Sequence, residues 1–426
     1  MGDTMIITTK LGDTTEFLSA QYSLPLQKII ADNGIIGNTL VPGQSLYIGI
    51  TERSYIPMQN TTATDIAKEF SQSRKNIFQN NFILSGNENV PIGTYIVLEY
   101  AQKPDTKKII GGYAYDFISA QKLSSVINYM TYIMPFTYGF TRDGELISPF
   151  DEYILKIAGD NNVSPIMHIS TLTQEGTFDS NLPSLIFEND TAKTRLIDNI
   201  ILNVTEKGYD GVDIDFEFLP FDVKDNYVEF TRILSQRLHE IGKILIIAVP
   251  PKTSDSQKGL LVEGIDYQKL SENADYILIM TYEYGYKFGP PLAISPVNQV
   301  RRALDYAITR IPNEKLLLGI ANYGYDWTLP YVRGVSDAPS ISTTEAIELA
   351  KRYGSEIQYS ETAMAPFFFY TDEAGLMHEV WFEDARSAKA KTDLINQYNL
   401  AGGFIWDLMR DNPQLYVTIN SQVKIV

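Results

Sequence analysis

Asp210-Gly211-Val212-Asp213-Ile214-Asp215-Phe216-Glu217 constrains the fold more than any other segment of the chain. Acids at 213, 215 and 217 alternate with apolar residues at 212, 214 and 216. On a β-strand this puts the three acids on one face and the three apolar side chains on the other. A water-facing amphipathic strand is the simplest reading of such a run, but its flanks argue against it. Thr191 to Glu206 reads as an amphipathic helix stopped by Gly208, and Asp225 to Ile241 reads as a second helix. Helix, short turn, strand and helix predict a parallel strand covered by helices, with its acids facing the sheet interior. Three crowded carboxylates repel, so at least one should hold its proton near neutral pH. A protonated carboxyl beside ionised ones suits general-acid cleavage of a glycosidic bond.

The rest of the chain extends this pattern. Apolar strand candidates recur at Ile109 to Tyr115, Tyr132 to Tyr138, Pro165 to Ser170, Gly211 to Glu217, Ile244 to Pro250, Tyr276 to Tyr282, Leu316 to Ala321 and Gly402 to Asp407. Helical stretches such as Pro296 to Arg310 and Ala385 to Tyr398 separate them. Roughly 320 residues beyond Lys108 fit a (β/α)8 barrel, whose chemistry sits at the C-terminal strand ends. Residues from about 322 to 383 are too many for one loop. They hold a hairpin, Pro366 to Asp372 and Met377 to Phe382, turning at Glu373-Ala374-Gly375. This predicts a small α+β insertion after the seventh strand.

The first hundred residues carry a weak repeat. Ile29-Ile30-Ala31-Asp32-Asn33 recurs as Ile77-Phe78-Gln79-Asn80-Asn81, and Val41-Pro42-Gly43 as Val90-Pro91-Ile92-Gly93. Each copy predicts strand, helix, helix, strand, over 1–50 and 51–104. Polar Ala101 to Lys108 reads as a linker to a barrel spanning 105–426. A net charge of -17 argues against nucleic acid as a partner. The absence of cysteine excludes disulfides and thiolate chemistry, and His168, His239 and His378 show no metal-ligand spacing. No Walker loop or dinucleotide fingerprint is present, so neither metal nor cofactor is expected. No apolar run spans a membrane, and Met1 to Leu11 lacks the charge and apolar pattern of a signal peptide.

The acidic run also matches the DxxDxDxE signature and so resembles glycoside hydrolase family 18, the chitinase-type family. The resemblance implies substrate-assisted catalysis with retention, in which the 2-acetamido group of an N-acetylated hexosamine is the nucleophile. It implies that Glu217 protonates the leaving oxygen and Asp215 orients the acetamido N–H. Asp213 would share a proton with Asp215, while Asp210 sets the strand's entry. Met280-Thr281-Tyr282 is similar to the family's Met-x-Tyr motif, whose tyrosine bonds the acetamido oxygen; Glu283 follows where many chitinases carry Asp. Trp406 resembles the tryptophan that floors the sugar pocket. Tyr323, Asp326 and Trp327 are further sugar contacts by this reading, with Tyr113, Phe136 and Tyr138 behind them.

Gly12-Asp13-Thr14 and Val41-Pro42-Gly43-Gln44 resemble LysM modules, which bind N-acetylglucosamine-containing glycans; the second copy has Asn60-Thr61-Thr62 instead of Gly-Asp-Thr. The whole chain is similar to the cortical-fragment-lytic N-acetylglucosaminidases of endospore-forming bacteria. That implies cleavage of β-1,4 bonds after N-acetylglucosamine in cortex peptidoglycan, and a spore location reached without a signal peptide. A chitinase and a non-catalytic spore-coat glycan binder are the alternatives.

Overall fold

The computed structural model describes residues 5–102 and 104–426. Met1–Thr4, at the start of the expected leaderless N-terminus, and Lys103, inside the expected linker, lie outside the described residues.

The first hundred residues form two small units. In the first, Met5–Thr8 and Ser45–Ile48 pair antiparallel around helices Thr15–Tyr22 and Leu26–Asn33. The Thr14 hydroxyl caps the first helix by accepting from the Phe17 N–H at 3.1 Å. Leu18, Ile29, Leu46 and Ile48 close the core. The second unit pairs Thr51–Tyr55 with Ile96–Tyr100 across helices Ala63–Glu69 and Arg74–Asn80. It adds a short ladder, Thr61–Thr62 with Asn89–Val90, that the repeat did not predict.

The repeat has a physical counterpart. Asn33 Oδ1 accepts from the Tyr47 N–H at 2.6 Å, and its Nδ2 donates to Ile29 and Tyr47 carbonyls. Asn81 does the same with Val97 and Ile77. One buried amide thus ties a helix end to the last strand in each copy and satisfies backbone groups that neither element can pair itself.

Eight parallel strands follow: β1 (Lys107–Tyr115), β2 (Tyr132–Phe136), β3 (Ser164–Ser170), β4 (Gly211–Asp215), β5 (Ile244–Val249), β6 (Tyr276–Ile279), β7 (Leu316–Ala321) and β8 (Gly402–Trp406). Each pairs with the next, and β8 also pairs with β1, which closes the sheet into a (β/α)8 barrel. All eight strands lie where the apolar runs placed them. Regular pairing ends two residues before Glu217 and three before Tyr282, because the chain leaves the barrel rim there and Phe218 turns into the left-handed region.

β4 shows how the pattern works. Asn189 caps the preceding helix, Asp190–Lys207, by accepting from Thr191 and Ala192 N–H groups, and Gly208 ends it at φ 74°. Helix Lys224–Glu240 follows. Val212, Ile214 and Phe216 are buried between sheet and helices with Phe230 and Leu234. Burial of side chains this size is worth about 1.5–3 kcal/mol each, enough to set the strand's face. The barrel interior is filled by Met134, Ile166, Ile246, Leu278, Leu317 and Phe404.

After β7 comes a five-stranded antiparallel sheet containing Gly324–Thr328, Ala365–Thr371 and Met377–Trp381, backed by helix Thr343–Tyr353. Its core of Ala346, Ile347, Ile357, Phe368 and Val380 also takes in Val41 from the first N-terminal unit. The Ile357 N–H donates to the Pro42 carbonyl at 2.9 Å. A Cβ on Gly43, at φ 81°, would lie 1.8 Å from the Ile357 carbonyl oxygen, so only glycine permits this approach. The second unit is tied to the barrel by Gln79, whose Nε2 donates to the Asn128 carbonyl at 2.8 Å. Among the described residues, no helix is long and apolar enough to cross a membrane.

Candidate active site

The C-terminal ends of β1, β2, β3, β4, β6 and β8 converge on one group of side chains. Asp213 is fully buried, and its Oδ2 accepts from the Tyr113 hydroxyl at 2.7 Å and from His168 Nδ1–H at 2.9 Å. His168 faces Asp213 across the β3–β4 register. Its ring stacks on Phe136 at 4.9 Å between centroids, and its Nε2 lies 3.9 Å from Asp215 Oδ2. Asp213 is therefore fixed by two donors, and Asp215 stands one step nearer the rim.

Burial, then the neighbouring Glu217 and Asp213, push the Asp215 carboxyl well above the ordinary carboxylate range, against the pull of His168. Burial and the Glu283 charge also raise Glu217. Burial and the surrounding carboxylates hold the Tyr282 phenol well above its usual value, so it remains an O–H donor. β7 makes room for that ring with Gly319, where a Cβ would sit 2.7 Å from a Tyr282 ring carbon.

Trp406 contacts Phe136 at 4.9 Å and Tyr113 at 5.4 Å between centroids. Beside it opens a cavity of about 580 Å³, with Glu283, Tyr323 and Tyr325 on its far wall. Glu283 is solvent-accessible as a residue, yet its carboxylate accepts from the Tyr323 hydroxyl and, at 3.0 Å, from that of Tyr325. Its backbone is left-handed at φ 60°. Met280 lines the barrel interior below. This arrangement can protonate a leaving group and hold a neutral donor beside buried acids.

Residues 94–411 match the model of the family described as "Glycosyl hydrolases family 18". The chain belongs to glycosyl hydrolase family 18. It is a glycoside hydrolase, and residues 7–49 match the LysM domain model. A cortical fragment-lytic enzyme of Bacillus anthracis is 32% identical over 421 residues, covering 96% of each chain. One from Bacillus subtilis strain 168 is 38% identical over 298 residues, 70% of this chain and 69% of that protein. The crystal structure of the Bacillus megaterium QM B1551 spore cortex-lytic enzyme SleL superposes with a TM-score of 0.82 at 34% identity, covering 99% of this chain and 98% of that one.

Not every expected contact reaches the cleft of this family 18 chain. Trp327 is 1% exposed, and its indole N–H donates to the Gly289 carbonyl at 2.9 Å. It is buried in an apolar cluster with Ile294, Ala321, Tyr323, Tyr325 and Ala338, which corrects the expectation of a sugar contact. Asp326 points to the opposite face of its strand, where it accepts from the Tyr370 hydroxyl at 2.7 Å and meets His378 Nδ1 at 2.9 Å. That pairing removes it from the cleft too. Tyr138 is buried behind the barrel with its hydroxyl on Asp151. Asp210, expected at the strand's entry and not as a sugar contact, lies at the other end of β4, 3.1 Å from Lys243. Conversely, His168, Tyr325, Asp407 and Arg410 are part of the site and were not singled out in the sequence. His168 could have been found only by pairing its strand with the acidic one.

Proposed function

We propose that this enzyme cleaves the β-1,4 bond after N-acetylglucosamine in spore cortex peptidoglycan fragments, by the substrate-assisted route with retention. The observation that carries the chemistry is the inward-facing row of Asp213, Asp215 and Glu217 beside Tyr282, with Glu217 outermost. The end-to-end likeness to cortical fragment-lytic enzymes, across both N-terminal units and the barrel, supports the substrate.

In this reading the Glu217 carboxyl gives its proton to the glycosidic oxygen as the C1–O bond breaks. The acetamido oxygen of the same sugar bonds to C1 and forms a cationic oxazolinium ring. Asp215 accepts from the acetamido N–H and balances that charge. The Tyr282 O–H aligns the acetamido oxygen, and Trp406 supplies a flat apolar floor. Water then adds to C1, Glu217 takes its proton, and the ring reopens. Asp213, pinned by Tyr113 and His168, sets the position and charge of Asp215. Glycan contacts through the LysM unit hold the enzyme on peptidoglycan in the spore.

The test is product analysis by mass spectrometry on pre-fragmented cortex and, in parallel, on chitin oligosaccharides. Fragments with N-acetylglucosamine at the new reducing end, from cortex only, are expected. Cleavage of chitin alone would make it a chitinase, and inertness on both would make it a binding protein.

A pH prediction arises here. Glu217 acts while protonated, and its pKa is raised, so activity persists above the ordinary carboxylate range and falls as pH rises through the raised value. Glu283→Gln removes the second cause of that shift. The alkaline limb of kcat/KM should therefore move to lower pH, while a limb that stays put would remove Glu283 from the tuning of Glu217.

A further inference from the structure

The cavity beside Trp406 is lined mainly by aromatics and by the carboxylates of Glu283 and Asp407, with Ser340, Met409 and one basic residue completing it. Arg410, four residues past Trp406, is the single cation among its described lining residues, in a chain of net charge -17. Its loop is held by its own carbonyl, which accepts from Lys122 Nζ at 2.8 Å. Its Nη2 donates to the Ser340 hydroxyl of the insertion at 2.6 Å. Among the described residues its one ion-pair contact is long: Nη1 lies 4.0 Å from Glu345 Oε2, which already accepts from the Ser342 N–H at 2.6 Å. Among the described residues neither facing acid forms a salt bridge with it, although its charge favours the ionised form of Asp407. Glu283 is held by two tyrosines, and Asp407 accepts from the Met409 N–H at 2.9 Å. A guanidinium carries five donors in a planar fork, and no carboxylate closes this one. With the side chain 34% exposed, the group is anchored on one edge and accessible to a ligand.

A chain of N-acetylglucosamine alone offers this cation only hydroxyls and acetamides. A muramic sugar adds a 3-O-lactyl group whose acyl oxygen accepts hydrogen bonds, whether as carboxylate, peptide amide or lactam. We infer that Arg410 reads that lactyl acyl oxygen in the subsite adjoining the cleaved N-acetylglucosamine, and so selects peptidoglycan over chitin. This rests on the proposed substrate. Ser340 is the positioning residue that sets the fork.

The experiment measures KM and kcat on pre-fragmented cortex, and the Ki of a chitin oligosaccharide as competitor, for wild type, Arg410→Gln and Arg410→Lys. Loss of a charged hydrogen bond should raise KM for cortex by roughly 10- to 100-fold in Arg410→Gln, with Arg410→Lys between it and wild type. Ki for the chitin oligosaccharide should stay within about threefold, and thermal unfolding should match wild type. A parallel rise of KM and Ki would make Arg410 a support of the cleft wall and overturn the inference, as would an unchanged KM. A wild-type enzyme that leaves cortex intact would overturn the proposed substrate and this inference with it, whereas active wild type with an unchanged KM in Arg410→Gln would overturn this inference alone.

Discussion

Glu217→Gln should lower kcat on cortex fragments by about 10²- to 10⁴-fold, the range a positioned general acid contributes. The amide has nearly the carboxyl's shape but no proton to give, so the leaving oxygen departs unassisted. Binding should survive, because the sugar floor at Trp406 and the Asp213–His168–Tyr113 contacts are untouched. Calorimetric titration of the variant with cortex fragments, beside a reducing-end assay, separates the two quantities. Near-normal turnover would mean that another group protonates the leaving oxygen. Loss of binding and turnover together would mean that Glu217 holds the cleft open.

The second large effect is on stability. Trp327→Ala should cost about 3–5 kcal/mol, as for other fully buried aromatics, since it opens a cavity in the cluster it forms with Ile294, Tyr323 and Tyr325 and strands the Gly289 carbonyl. Urea unfolding followed by fluorescence would measure it. Trp327→Phe should recover much of the packing and leave KM for cortex near the wild-type value. If Trp327→Ala unfolded like wild type and instead raised KM, the indole would belong to the cleft and not to the core.

These two residues also mark what the sequence could and could not reveal. The acidic row of β4 was legible because strand alternation is local: two residues per repeat decide which face each side chain takes. The eight strands and the insertion hairpin were legible for the same reason, each being a short apolar run between helical or turn segments. Asp326 was misread although the same rule applied, since alternation alone puts it opposite Tyr325 and Trp327. Trp327 was beyond reach of that rule: it shares a face with Tyr325 yet lies under other residues, and depth depends on what the rest of the fold stacks above. His168 was hidden differently. A lone histidine between Met167 and Ile169 looks like filler, and its meaning comes from the residue opposite, Asp213, which is 45 positions away in the chain. Arg410 was silent because its partners, Ser340 and Lys122, come from distant parts of the chain.

The seat of Val41–Gly43 in the insertion bears on how this enzyme can be taken apart. The family match begins at residue 94, which invites expression of the barrel as a self-sufficient cassette. Cutting there would strip Val41 from the apolar pocket it shares with Ile347 and Ile357, and would leave the Ile357 N–H without its acceptor. The severed barrel would carry a raw hydrophobic wound on the wall that also frames its cleft. What reads as a string of parts is, mechanically, one casting.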